Sequence, residues 1–125
     1  MKRIISTDQA PAAIGPYSQA VEANGTLYIS GQIPIDPTTG KLVEGGVKEQ
    51  TLQVLKNIRA ILKAAGYDNN DVVKSTCLLA NMDDFKDVNE IYASFYTENP
   101  PARAAYGVVR LPLGALIEIE TIAVK

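Results

Sequence analysis

Between residues 47 and 65, apolar side chains recur at helical spacing. Val47, Leu52, Leu55, Ile58, Ile61, Leu62 and Ala65 mark one stripe, and Gly66 supplies a C-terminal stop. Lys48, Glu49, Gln53, Lys56 and Lys63 fill the other side as a solvated face. A helix apolar along one stripe must bury it against a second layer. Val72 to Ala80 follows at once, a β-branched and apolar run that reads as a buried strand. A second helix is capped by Asp83 or Asp84 and carries Phe85, Val88, Tyr92 and Phe95 on one face. Asn99-Pro100-Pro101 ends it, because proline cannot continue a helix and disfavours helix in the residue before it.

The remaining segments are extended. Ile4-Ile5 starts a short strand, and Ala10 to Pro16 is a proline-restricted loop in which Gly15 permits an unusual backbone angle. Tyr17 to Glu22 and Leu27 to Ile33 flank Asn24-Gly25, a strong hairpin signal. Pro34 to Gly40 reads as a turn leading to an extended piece around Leu42-Val43. Ala104 to Val109 and Leu116 to Val124 are the last two strands, joined around Pro112-Leu113-Gly114 and read as a hairpin. The expected fold class is α+β, a mixed β-sheet with two helices packed on one face, in a single domain spanning 1–125. In the last strand Ile117, Ile119, Thr121 and Ala123 alternate with Leu116, Glu118, Glu120 and Ile122. Both registers hold apolar residues, so the second sheet face fits an oligomer interface.

Composition removes whole classes of chemistry. The chain has no histidine and one cysteine, so neither a Ser-His-Asp or Cys-His arrangement nor an imidazole- or thiolate-based zinc site can exist. Cys77 lies in an apolar run and reads as a buried, inert thiol. Asp68-Asn69-Asn70-Asp71 lacks the glycine and glutamate of a calcium hand and reads as a turn; Gly45-Gly46 is an isolated pair, not a phosphate loop. No metal and no cofactor is expected. A net charge of −2 offers no footprint for nucleic acid or an anionic membrane, and the expected setting is cytoplasmic.

Arg, Glu, Tyr, Ser, Asn and backbone groups must therefore carry the chemistry. Arg103 places a fixed cation at the mouth of a strand, with a planar fork of donors that fits a carboxylate at two points. Glu118 can accept and return a proton once burial lifts its pKa toward neutrality. Together they suit a small organic acid undergoing proton transfer with water. In the presumed hairpin, Glu118 shares a face with Arg103 about 13 Å along the strand, at roughly 3.3 Å per residue. Glu120 would be diagonal to Arg103 and closer, so the working carboxylate stays open between the two. Ser30-Gly31 interrupts an apolar strand, which marks a bulge or a close backbone approach.

Pro101-Ala102-Arg103-Ala104-Ala105-Tyr106, Arg110-Leu111-Pro112 and Ile117-Glu118-Ile119-Glu120 resemble the C-terminal signature of the reactive intermediate deaminase (Rid) family. Ala13-Ile14-Gly15-Pro16-Tyr17-Ser18-Gln19, Ser30-Gly31-Gln32-Ile33-Pro34 and Val88-Asn89-Glu90-Ile91-Tyr92 match further blocks, in the family's order. The resemblance covers essentially the whole chain and is nearest to the branch that hydrolyses 2-imino acids. It implies a homotrimer of the chorismate-mutase-like fold with clefts between subunits, and hydrolysis of 2-iminopropanoate and 2-iminobutanoate to 2-oxo acids and ammonia. It further implies that Arg103 and Glu118 are catalytic, that Arg103 also binds the substrate carboxylate, and that Tyr17, Ser30, Gly31, Asn89 and position 105 line the cleft. Ala105 stands where many relatives have a cysteine, so no thiol chemistry can depend on it. Two rivals stand beside this reading. One is a non-catalytic trimeric sensor of small carboxylates, and the other a ribonuclease or translation inhibitor, which the acidic balance and missing histidine oppose.

Overall fold

Asn24 and Gly25 both take positive φ, 51° and 78°, as a two-residue type I′ hairpin requires. In the computed structural model, which describes residues 1–125, they join β2 (Ala20–Ala23) to β3 (Thr26–Gln32), with Ala23 opposite Thr26. β1 (Arg3–Ile5) pairs antiparallel with β2. The segment expected as a plain turn after Pro34 contains a strand of its own. β4 (Ile35–Asp36) pairs with β5 (Lys41–Leu42) in a small separate ribbon. Then follow α1 (Val47–Ala65), β6 (Val72–Leu79), α2 (Phe85–Phe95), β7 (Ala102–Gly107) and β8 (Ile117–Val124). The main sheet runs β1-β2-β3-β8-β6-β7. It is mixed, with two helices on one face, as the residue pattern predicts.

The expected hairpin between the last two strands does not form. β7 pairs parallel with β6, with Arg103 opposite Ser75. β8 inserts antiparallel between β3 and β6, with Thr121 opposite both Ile29 and Ser75. The reason lies in the two helices. Each makes a crossover between parallel strands, α1 from β3 to β6 and α2 from β6 to β7. The first crossover leaves one strand-wide slot, and β8 fills it. A central strand gains ladder hydrogen bonds on both edges, which an edge hairpin would forgo.

One row of β8 faces the helices. Ile117, Ile119, Thr121 and Ala123 are buried, with Leu27, Leu55, Ile58, Ile61, Leu62 and Leu79 around them. Each fully buried Leu or Ile contributes about 1.5–3 kcal/mol relative to an exposed one. Leu52, read as part of the α1 stripe, is exposed, while Gln50, Thr51 and Asn57 are buried on that helix. Their polar atoms are used. Asn57 Nδ2 donates to the carbonyls of Ile33 (3.3 Å) and Ile35 (3.0 Å), and Gln50 Oε1 accepts from the Leu116 amide at 2.8 Å. These bonds hold the chain before β4 and the start of β8 against α1.

Gly66 ends α1 at φ 85°, ψ 23°, with its amide and that of Tyr67 returning to Lys63 and Leu62. Arg3 Nη2 donates to the Ala65 carbonyl and Lys125 Nζ to that of Gly66, so cations sit on the negative end of the helix. Before α2, the side chain that caps is Asn81, which accepts from the Asp83 amide at 2.9 Å; Asp83 and Asp84 lie within a 3-10 turn. Asp84 holds the position before α2 without a side-chain bond. The face of the sheet away from the helices exposes Tyr28, Tyr106 and Val124. No helix is long and apolar enough to cross a membrane.

Candidate active site

Gly31 sits in a β-bulge. Ile29 pairs with Thr121 and Gln32 with Ile119, so Ser30 and Gly31 together oppose one residue of β8. The missing side chain makes room for Glu118: a Cβ at Gly31 would collide with its carboxylate and lie 3.0 Å from Cδ and 3.2 Å from Cγ. Bulge and close approach are therefore one device. Glu118 is half-buried, and its carboxyl is pushed up from the usual range by burial first and by the neighbouring Glu120 second. Glu120, on the same face two residues on, is exposed.

The loop before β2 closes over this region. Tyr17 is in that loop rather than in a strand, and it is half exposed, with its hydroxyl 3.4 Å from the Ile14 amide. Gly15 takes φ 125°, the unusual angle expected of it. Gln19, buried and not singled out in the sequence, anchors the loop. Its Nε2 donates to the carbonyls of Thr7 (2.9 Å) and Pro11 (2.8 Å), and its Oε1 accepts from the Thr7 amide at 2.7 Å. Ser30 Oγ donates to the Ser18 carbonyl at 2.6 Å, tying β3 to the same loop. A cavity of about 240 Å³ opens here, bounded by Ile14, Tyr17, Gly31, Gln32, Pro112 and Leu113.

Arg103 is elsewhere. It lies on edge strand β7, on the helix side, and its Nη1 donates to Asn89 Oδ1 at 2.7 Å. Its guanidinium carbon is 5.2 Å from the Phe85 ring centroid and 4.9 Å from that of Tyr92. The three ion pairs of the chain are Arg3–Glu22, Lys48–Asp87 and Lys48–Glu90, so neither Arg103 nor Glu118 has a charged partner. Ala105 is half-buried opposite Cys77. Burial pushes that thiol up to about 11, in keeping with the inert role read from its neighbours.

Thus Tyr17, Ser30, Gly31 and Glu118 form one group, and Asn89, Arg103 and Ala105 another. The shared face expected for Arg103 and Glu118 is corrected by the topology. β6 separates their strands, about 9.6 Å of lateral spacing, and Glu118 is three residues below the level of Arg103, roughly 10 Å more. The two backbones are therefore roughly 14 Å apart. Glu118 and Glu120 are cross-strand from Leu78 and Thr76, on the face opposite Arg103. The expected Arg103–Glu120 pair is excluded within one chain for the same reason. No three Cys, Asp or Glu side chains converge closely enough to hold a metal ion.

A small α+β protein with one mixed sheet, two helices on one face and these two groups of polar residues has the chorismate-mutase-like fold. Residues 7–125 match the family model described as Endoribonuclease L-PSP. The chain is 58% identical over 125 residues to a mouse protein named 2-iminobutanoate/2-iminopropanoate deaminase, covering all of this chain and 93% of the mouse protein. Among solved structures, RidA from the Antarctic bacterium Psychrobacter superposes with a TM-score of 0.95 at 49% identity, covering 98% of this chain and 99% of that one. E. coli TdcF with bound serine gives 0.95 at 40% identity, with 98% of each chain covered. The chain belongs to this family, the L-PSP or Rid family, as the sequence blocks had suggested.

Proposed function

We propose that the chain hydrolyses 2-iminopropanoate and 2-iminobutanoate to the 2-oxo acids and ammonia, as the mouse relative's name describes for that protein. The observation that carries the reading is Glu118, a half-buried carboxylate with a raised pKa, seated on Gly31, which itself lines an open cavity. Arg103, free of any acidic partner, holds the substrate carboxylate at two points. Glu118 takes a proton from water as the water oxygen bonds to the imine carbon, and the C=N π pair moves to nitrogen. It then returns the proton to that nitrogen. The C–N bond breaks with its electron pair going to nitrogen, the hydroxyl proton passes to that nitrogen as the C=O bond forms, and ammonia leaves the 2-oxo acid.

Ser30 already donates its proton to Ser18, so its lone pair suits an imine N–H rather than the carboxylate. The Gly31 amide, Tyr17 and Asn89 orient the substrate, and Ala105 widens the cleft. Because Arg103 and Glu118 occupy opposite faces of one sheet, the reading needs them to come from different copies of the chain. A homotrimer with clefts between subunits provides that, and the exposed apolar side chains of Tyr28, Tyr106 and Val124 support burial of the open face. We place the protein in the cytoplasm.

The test generates the imine in situ with an amino-acid oxidase and follows its hydrolysis against a nucleophilic trap. Arg103→Ala should abolish turnover and binding of 2-oxobutanoate, and Arg103→Lys should recover little, because an ammonium lacks the two-point fork. Glu118→Gln should bind 2-oxobutanoate yet lose roughly 10²–10⁴-fold in rate. Wild-type binding without turnover would leave a sensor of small carboxylates. RNA cleavage lost on substitution at these positions would instead favour the activity in the family's description.

A further inference from the structure

Phe85, Asn89 and Tyr92 are spaced i, i+4 and i+7 on α2 and present one face to β7. Two rings and one amide oxygen meet there on a single guanidinium, at 5.2, 4.9 and 2.7 Å. An arginine on an edge strand would otherwise sweep through solvent, with many rotamers to lose on binding. We propose that Phe85 and Tyr92 are positioning residues which clamp the Arg103 guanidinium in one orientation before substrate arrives, without neutralising it. The inference rests on the reading of Arg103 as the carboxylate anchor.

The chemistry of the clamp matters as much as its geometry. An aspartate or glutamate in place of Asn89 would orient Arg103 and also compete with the substrate. Aromatic faces and a neutral amide attract the cation but leave its charge for an incoming anion. Asn89 uses one N–H of the five, so the edge formed by Nε and Nη2 remains free for a two-point carboxylate.

Tyr92 is itself packed into the core. It is 6% exposed, and its hydroxyl and that of Tyr96 both approach Ser75, the cross-strand partner of Thr121. Ser75, Tyr92, Tyr96 and Thr121 carry four buried hydroxyls, none of which has a hydrogen-bond partner in the chain. The Tyr92 ring also leans on Tyr96 at 4.8 Å, and Tyr96 on Phe95 at 4.8 Å edge-to-face. The floor under Arg103 is therefore the end of a packed aromatic row.

The chain has four arginines, Arg3, Arg59, Arg103 and Arg110, few enough for their guanidinium NMR signals to be assigned by substitution. Arg103 should show separate Nη resonances from slow rotation about Nε–Cζ, whereas exposed Arg110 should show averaged ones. Tyr92→Leu should average the Arg103 signals, weaken 2-oxobutanoate binding about tenfold and lower kcat/KM by about the same factor. Tyr92→Phe keeps the ring and should retain the resolved signals and stay within about threefold of wild-type kcat/KM. Should Tyr92→Leu fail to fold, Phe85→Leu at the half-buried rim carries the same test. Averaged Arg103 signals in the wild type, or a Leu variant that changes neither spectrum nor binding, would overturn the clamp. Resolved signals released by Tyr92→Leu in a protein with no imine hydrolysis would uphold the clamp and overturn the proposed function.

Discussion

Gly31→Ala separates activity from stability at a single methyl group. Gly31 is not among the residues with positive φ, so alanine fits the backbone without strain. The new Cβ would collide with the Glu118 carboxylate and lie 3.0 Å from Cδ, where ordinary contact begins near 3.4 Å. The carboxylate is the far end of a flexible side chain, and it must retreat by about 1 Å or more, the scale of misplacement that costs about 10²-fold in rate. Turning Glu118 out of its rotamer costs about 0.5–1.5 kcal/mol, a melting shift of a few degrees for a chain of this size. We therefore expect kcat/KM in the imine trap assay to fall about 10²-fold, with Tm lowered by only about 2–8 °C. Full activity at a native Tm would refute the idea that Gly31 sets the position of a working Glu118. A variant that cannot fold would refute the claim that the contact is soft.

Removing the half-buried Glu118 charge should have its own pH signature. The folded-state pKa of Glu118 is raised, so its contribution to stability is full below the unfolded value and is lost as pH rises through the folded one. Glu118→Gln should accordingly gain stability relative to wild type as pH rises above the usual carboxylate range, read as Tm by calorimetry; a gain that grows on acidification would contradict the raised pKa. Light scattering at micromolar concentration should return about three times the 13.4 kDa chain mass, and a stable monomer would sink the shared cleft. Asn57→Ala leaves the Ile33 and Ile35 carbonyls without their side-chain donor, and should cost about 1–3 kcal/mol in a urea titration. Glu22 behaves oppositely to Glu118. The Arg3 hydrogen bond, then that of Tyr67, lowers its pKa, so its stabilisation is present at neutral pH and lost on acidification, and Arg3→Ala should flatten the acid limb of the stability curve.

Local pattern was enough wherever one segment decides its own conformation. Asn24-Gly25 supplied two residues that tolerate positive φ, and Gly66 ended α1 in the left-handed region, so hairpin and helix stop were readable from residue type. The two helices and their shared sheet face followed from the period of apolar residues. Leu52 misled because periodicity counts hydrophobicity, whereas burial of Gln50 and Asn57 depends on carbonyl and amide groups that arrive from Ile33, Ile35 and Leu116. Arg103, Glu118, Tyr17, Ser30, Gly31 and Asn89 could be singled out by residue type and family blocks, but not their grouping. Which strand lies beside which is a property of the whole sheet. β8 joined β3 and β6 because two parallel crossovers left a slot there, and that insertion put Glu118 and Arg103 on opposite faces. The contact of Glu118 with Gly31 and the hold of α2 on Arg103 join residues 87 and 14 positions apart. No periodicity encodes such distances, since only chain folding brings those side chains to one place.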